Sequence, residues 1–338
     1  MTLISYPTRV HFADAVMEHA LWSEMEKGRV RAALLIWDRS HANTEFHDRI
    51  RDGIPPGADI LSCEIAEGAD TDLLARRMAD GPEMQAVDAI VAFGSVAAIE
   101  MGRSLRRELH GSRPAFFAVP GIDGLPDPCN RNLESWRDGL PSVVICDPTL
   151  TQSPAPGALL RAAVLTLMRC IESYLGAAYN PPADGMALDG LSRAIAALPQ
   201  LVATQAGDLD TRRELMAAAL NAAMAQEKGI GPAHILARAL AAECHDRLTA
   251  DAGRLILPGI VAATGRGNRK LDTLGRVIGG GGPDIETALH CALDGLPMHA
   301  RLSDLGLTAH HLKRAAQAVA GRRDISQSVA EAVLTQAY

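Results

Sequence analysis

Two polar side chains interrupt an apolar stretch late in the chain, where His234 and Arg238 stand four residues apart. The small and apolar residues of Pro232–Cys244 recur at helical spacing, which predicts a helix with both side chains on one face. A guanidinium binds carboxylates through charge-assisted hydrogen bonds. Its charge also lowers the pKa of a neighbouring imidazole, which stays neutral and available as a base. This face therefore carries a candidate base beside a candidate anion-binding group.

The composition limits the classes of protein to which the chain can belong. Its 338 residues exceed a usual single core, so two domains are expected. A net charge of −7 argues against a nucleic-acid-binding surface. No apolar run approaches the roughly 20 residues that span a bilayer, and no signal peptide is expected. The six Cys lack C-x-x-C spacing and indicate reduced thiols of a cytoplasmic protein.

The pattern of predicted elements changes near residue 150. Before it, apolar runs alternate with helical stretches such as Val96–Glu108, which is typical of a parallel α/β sheet. The predicted strands are Ala32–Trp37, Ile60–Ile65, Asp88–Phe93, Pro114–Val119 and Ser142–Cys146. The helices predicted after it are Leu159–Leu175, Asp184–Leu198, Asp210–Gln226, Pro232–Cys244, Arg269–Ile278, Asp284–Leu293, Thr308–Ala318 and Ser326–Gln336. Pro199 is expected to end the second of these.

Five segments, in the same order along the chain, resemble the iron-containing alcohol dehydrogenases and, more closely, the maleylacetate reductases. They are Asp147–Pro154, Ile171–Tyr174, Asn180–Leu191, Gly229–Pro258 and Gly295–Ala316. The resemblance implies a dehydroquinate-synthase-like fold. Residues 1–150 would form an α/β dinucleotide-binding-like domain, and residues 151–338 an all-helical domain with the family's metal site. It also implies a dimer.

Most of the family's metal-binding positions carry other residues here. The equivalent positions hold Leu165, Arg169, His234, Arg238 and either Leu248 or Thr249. One imidazole is too few for Fe²⁺ or Zn²⁺, which need about three protein ligands. We therefore expect no metal. His245 and Asp251 lie nearby in the sequence and are the alternative for a rebuilt site.

The residues now at these positions predict an anion site in place of the metal. By the resemblance, Arg169 converges with His234 and Arg238, and we assign these three as the candidate catalytic residues. Two guanidinium groups beside one imidazole favour a carboxylate ligand. The alternative is that the arginines form salt bridges with acids such as Glu172 or Glu243.

The family's glycine-rich phosphate loop is also changed. Its GGGS corresponds to Ala92–Ser95, where Gly94 and Ser95 can still turn the chain and supply hydrogen-bond donors. Phe93 is expected to place a large side chain where the backbone approaches a phosphate. The family's lysine position falls on Met101.

Two further positions bear on cofactor binding. Asp38 ends a predicted strand, where it can accept hydrogen bonds from an adenosine ribose or cap a helix. The family's second cofactor loop corresponds to Pro120–Asp127, which lacks the hydroxyl groups of the family motif. Candidate cofactor residues are therefore Asp38, Gly94 and Ser95, and NAD(P)H binding is expected to be weak or absent.

Three hypotheses about function remain. The first is a pseudoenzyme or partner subunit without metal-dependent oxidoreductase activity, in a homodimer or in a hetero-oligomer with a paralogue. The second is a metal-independent NAD(P)H reductase of a maleylacetate-like keto-diacid. The third is a cofactor-free enzyme acting on a small dicarboxylate through His234 and the arginines.

Overall fold

The computed structural model of the protein describes residues 8–38, 44–66, 68–109, 111, 113–121, 140–151, 157–204, 207–243, 248–265, 267–279 and 284–338. These residues divide into two compact units. The first consists of the described part of residues 8–151 together with Asp208–Met216. The second consists of the described part of residues 157–207 together with Ala217–Tyr338.

The first unit contains a six-stranded parallel sheet. Its strands are β1 (Arg9–Phe12), β2 (Ala32–Asp38), β3 (Asp59–Ile65), β4 (Ala89–Gly94), β5 (Ala115–Pro120) and β6 (Val143–Cys146). They lie in the order β1-β6-β5-β4-β2-β3. The described helices of this half are α1 (Met17–Gly28), α2 (Thr44–Asp52), α3 (Thr71–Ala79) and α4 (Val96–Glu108).

Continuous apolar sequence explains the interior strands. β4 is buried along its whole length, and β2 is buried except at its ends. Strands covered on both faces need no polar alternation, so the apolar runs locate β2, β4, β5 and β6 to within one residue at each end. The predicted edge strand β3 is located equally well, although most of its residues are exposed or half-buried. The sequence does not predict β1, which is short, half polar and at the sheet edge. Pairing with β6 defines it as a strand.

The second half of the chain is helical, and its described residues contain no strand. Its helices are α5 (Ala158–Leu175), α6 (Pro181–Thr204), α7 (Leu209–Ala225), α8 (Pro232–Ala242), α9 (Thr249–Thr264), α10 (Lys270–Gly279), α11 (Ile285–Leu293), α12 (Ala309–Gln317) and α13 (Gln327–Ala337). The predicted fold class, a parallel α/β sheet followed by an all-helical half, is confirmed. Within the described part of the chain, no helix is long and apolar enough to cross a membrane.

Two helices differ from the prediction at prolines. The expected stop at Pro199 is wrong, because α6 continues through it to Thr204. A proline inside a helix costs roughly 3 kcal/mol, whereas burying a leucine stabilises by about 1.5–3 kcal/mol. Leu198 and Leu201 on either side are both buried, so packing outweighs the proline. Helix α9 also continues through a proline, Pro258, and the sequence pattern does not predict this helix.

Candidate functional site

A buried carboxyl group from α5 holds the N-terminus of α8. Oε1 of Glu172 accepts a hydrogen bond from the backbone N–H of Ala233 at 2.6 Å, and both its oxygens lie 3.3 Å from the backbone nitrogen of His234. Gly231 makes room for this contact, since a Cβ there would stand 2.4 Å from the carboxyl carbon. Glu172 thus fixes the end of the helix on which His234 lies.

Glu172 is only 8% exposed. Burial raises the pKa of its carboxyl group to about 8, against the opposing effects of the hydrogen bonds from Ala233 and His234 and the charge of Arg322. Asp324 adds to the rise. The group therefore changes its charge near neutral pH.

His234 is 4% exposed and lies on the first turn of α8. Among the residues the structure describes, its Nδ1 has no hydrogen-bond partner. Burial lowers the pKa of His234 well below its ordinary value, and the charges of Arg169 and Arg238 lower it further. The imidazole is therefore neutral at pH 7. Buried polar atoms normally have partners, which makes this unpartnered nitrogen a notable feature of α8.

The two arginines reach the imidazole from different helices. Arg169 lies on α5 and is 6% exposed, whereas Arg238 lies on α8 one turn beyond His234 and is exposed. Both guanidinium charges lower the pKa of the imidazole, so both arginines lie near enough to act on it. Their role in catalysis stays a prediction.

The acids suggested as salt-bridge partners of these arginines have other contacts. Glu172 accepts hydrogen bonds from backbone N–H groups of α8. Glu243, at the other end of α8, forms an ion pair with Arg314 at 3.2 Å.

The residues at the family's metal positions do not fit a divalent cation. Leu165 and Arg169 lie on α5, Leu248 precedes α9, and Thr249 is its first residue. None of these is an imidazole or a carboxylate, and the charge of Arg169 repels a cation. In the described ranges, no group of three or more His, Cys, Asp or Glu could hold a metal ion.

Asp251, the alternative ligand, has other partners. It is buried, accepts a hydrogen bond from Nε of Arg161 at 3.2 Å and lies 2.9 Å from Nδ1 of His299. Its proposed companion His245 lies outside the described residues. Each carboxylate oxygen of Asp251 thus has a protein partner.

The second candidate site lies at the carboxyl edge of the sheet, between β2 and β4. From β2 the chain continues to β3 on one side, and from β4 it continues to β5 on the other. Ligands of open parallel sheets bind at such a point. Ile36 of β2 pairs with Ala92 of β4. Asp38 and Gly94 each come two residues later in their strands, so both lie at this edge.

The turn into α4 retains the backbone features of a phosphate site. Gly94 has a φ of +88°, which glycine adopts readily. Ser95 then caps α4, its Oγ accepting a hydrogen bond from the N–H of Ala98 at 3.2 Å. Gly102 lets α4 approach the sheet, because a Cβ there would stand 2.6 Å from the ring of Phe116. A helix N-terminus behind a glycine turn favours anionic groups.

The expectation that Phe93 obstructs this edge is wrong. Its ring is 1% exposed and stacks on Trp37, with 5.7 Å between ring centroids. Successive side chains of a strand face opposite sides, and that of Phe93 joins the core of the first unit. Met101 is also fully buried. Of the loop Pro120–Asp127, only Pro120 and Gly121 are described.

The sequence prediction did not identify the cap formed by Glu172. The available signal is Gly231 followed by Pro232, since a helix that starts there has no N-cap side chain to satisfy its first N–H groups.

The six-stranded parallel sheet and the helical half define a protein of the dehydroquinate-synthase-like fold. Residues 161–333 match the family model of the Fe-containing alcohol dehydrogenase family, C-terminal. The match covers more than half of the chain, which therefore belongs to the Fe-containing alcohol dehydrogenase family.

The chain is similar to several individual proteins along most of its length. The sequence is 28% identical to 4-hydroxybutyrate dehydrogenase from Cupriavidus necator over 272 residues, which cover 71% of this chain and 70% of that protein. The fold is similar to that of maleylacetate reductase from Agrobacterium tumefaciens, with a TM-score of 0.82 and 18% identity over 100% and 99% of the two chains. Sulfoacetaldehyde reductase from Bifidobacterium kashiwanohense in complex with NAD⁺ also has a TM-score of 0.82, at 16% identity over 100% and 99%.

Proposed function

We propose that this chain is a diverged family member that carries out no iron-dependent hydride transfer and binds a small carboxylate at His234, Arg169 and Arg238. The observation that carries the proposal is the buried, neutral imidazole of His234 beside two guanidinium groups. Positive charge opposes a divalent cation and complements a carboxylate. In this proposal the protein is a pseudoenzyme or a partner subunit, in a homodimer or with an active paralogue.

The chemistry of the three side chains supports a carboxylate ligand. A hydrogen bond from a charged group contributes about 1.5–3 kcal/mol, and Arg169 is buried enough to keep much of that value. A neutral imidazole has one donor and one acceptor nitrogen, so His234 can bind a further polar group. The compounds in the names 4-hydroxybutyrate dehydrogenase and maleylacetate reductase are carboxylates.

The second candidate function is a metal-independent NAD(P)H reductase of a keto-diacid. The specific observation in its favour is the sheet edge, where Gly94 and Ser95 form the turn into α4 and Asp38 ends the strand beside it. A bound reduced nicotinamide supplies a hydride to a carbonyl carbon. The residues of this chain would hold the pyrophosphate at Gly94 and Ser95 and the substrate carboxylate at Arg169 and Arg238.

Calorimetric titration separates these functions. We expect succinate to bind the wild-type protein and Arg238→Gln to weaken binding roughly tenfold, the equivalent of one charge-assisted hydrogen bond. Arg276→Gln is the matched control, because Arg276 is exposed in the same unit and, among the residues that the structure describes, donates only to Asp272 and Thr273 of its own helix. No succinate binding, or equal losses in the two variants, would contradict the carboxylate site.

Titration with NADH and NADPH tests the alternative. Weak or absent binding is expected, whereas low-micromolar dissociation constants with turnover of a keto-diacid would favour the reductase. Elemental analysis completes the test. Stoichiometric iron or zinc in protein purified without chelator, lost in His234→Ala, would overturn the proposal.

A further inference from the structure

We infer that Glu172 is the positioning residue of the His234 site, because its carboxyl group holds the N-terminus of α8 and thereby sets where His234 and Arg238 lie. This inference rests on the proposed carboxylate site, since it assigns Glu172 a role toward that site.

The N-terminus of α8 lacks a cap of its own. The first N–H groups of a helix have no intrahelical partner and are usually satisfied by the N-cap side chain. The N-cap here is Gly231, which has no side chain. Glu172, from a different helix, accepts the N–H groups of Ala233 and His234 instead.

The fit between Glu172 and Gly231 is tight. A Cβ at Gly231 would stand 2.4 Å from both the carboxyl carbon and Oε1 of Glu172. On the approach to the helix, Nη2 of Arg322 donates to the carbonyl oxygen of Ile230 at 3.0 Å and also pairs with Asp324. The entry to α8 is therefore held from two sides.

Helix α5 carries both Glu172, which caps α8, and Arg169, one of the proposed ligand-binding residues. Arg169 and Glu172 are three residues apart on α5 and so are neighbours on its surface. α5 thus holds α8 through Glu172 and presents Arg169 to the imidazole of His234. The contact at Glu172 sets the spacing between the binding groups of the two helices, which gives it a role beyond the stability of α8.

The test compares Glu172→Gln with Glu243→Gln. Both variants remove a carboxylate that contacts α8, but Glu243 lies at the opposite end and pairs with Arg314. The readouts are the succinate dissociation constant, the ¹⁵N shifts of the His234 imidazole and the melting temperature. We expect Glu172→Gln to weaken succinate binding roughly tenfold and to move the imidazole shifts, because the new amide group changes the hydrogen bonds to Ala233 and His234 and so displaces the first turn of α8. Glu243→Gln should change neither.

A lowered melting temperature in Glu172→Gln with unchanged affinity and unchanged imidazole shifts would overturn the inference. If wild-type protein binds no succinate, the proposed function fails, and the imidazole shifts still decide the role of Glu172.

A second measurement uses the wild-type protein in case Glu172→Gln does not fold. The backbone amide signals of Ala233 and His234 and the imidazole signals of His234 are followed through pH 8. Arg322 and Asp324 are the charged groups that act on the carboxyl group besides these contacts. Amide and imidazole signals should titrate together. Movement of the amides alone would show that Glu172 does not position the imidazole.

Discussion

The two candidate sites differ in the part of the chain that forms them. At the sheet edge, the features that suit a phosphate belong mainly to the backbone, namely the left-handed turn at Gly94 and the N-terminus of α4. In the helical unit, the proposed binding groups are the side chains of His234, Arg169 and Arg238, whose charges interact. A backbone site persists as long as the fold persists. A side-chain site can change its chemistry while its helices stay in place.

This difference explains why membership of the Fe-containing alcohol dehydrogenase family does not fix the chemistry of the chain. The helices that carry the family's metal positions are present, with Leu165 and Arg169 on α5 and His234 on α8. An arginine at such a position would change the ligand preference of the site from a cation toward an anion, because a guanidinium is always charged.

The largest effect on stability is expected from Gly231→Ala in the helical unit. The new Cβ would displace the carboxyl group of Glu172, and overpacking typically costs about 1–3 kcal/mol. Urea denaturation measures this loss. Gly185→Ala in α6 is the matched control, because a Cβ added there would point into open space, with no neighbouring side chain within 4 Å. It should instead stabilise by up to about 1 kcal/mol. Equal stability of Gly231→Ala and wild type would show that Glu172 does not fit tightly there.

Gly94→Ala tests the backbone site at the sheet edge. A non-glycine residue in the left-handed region costs roughly 1–2 kcal/mol, and Gly94 has a φ of +88°. Gly57, with a φ of +89° on an exposed turn, provides the control Gly57→Ala with similar strain. Both variants should lose similar stability in urea, and only Gly94→Ala should reduce whatever NADH binding the wild type shows. If the wild type binds NADH, equal binding by the two variants would contradict the assignment of this edge.

The pH dependence of stability provides an effect that is specific to Glu172. The pKa of this carboxyl group is raised from 4.5 to about 8 in the folded protein. Between these values the folded chain holds a proton that the unfolded chain releases, so the contribution of Glu172 to stability falls as pH rises. This contribution to stability is fully present below pH 4.5 and is lost as the pH approaches about 8.

The amide side chain in the Glu172→Gln variant does not titrate in this pH range. Relative to the variant, the wild type should therefore lose stability between about pH 5 and pH 8. Urea denaturation of both proteins at several pH values measures the difference. Parallel curves for the two proteins would mean that the carboxyl group does not titrate in this range.

Features that depend on short stretches of sequence were predictable. The apolar runs locate the interior strands, and the Gly94-Ser95 turn precedes α4. Features that depend on contacts between distant residues were not. The pattern cannot tell that Phe93 faces the core, because that depends on Trp37 of another strand. The cap on α8 joins residues 61 apart along the chain, Glu172 and Ala233.

Arg238→Gln is expected to have the smallest effect on stability. Arg238 is exposed, and no ion pair or hydrogen bond joins it to another residue of the described ranges. A surface substitution of this kind usually changes stability by less than about 0.5 kcal/mol. Its charge lowers the pKa of His234, so the variant should raise that pKa, as measured by the ¹⁵N shifts of the imidazole. Arg314→Gln, which breaks the ion pair with Glu243, is the control and should leave the pKa unchanged. A large loss of stability in Arg238→Gln with an unchanged pKa would make Arg238 a structural residue. The helical unit would then retain only Arg169 beside His234, and the contrast between a backbone site and a side-chain site would rest on a single arginine.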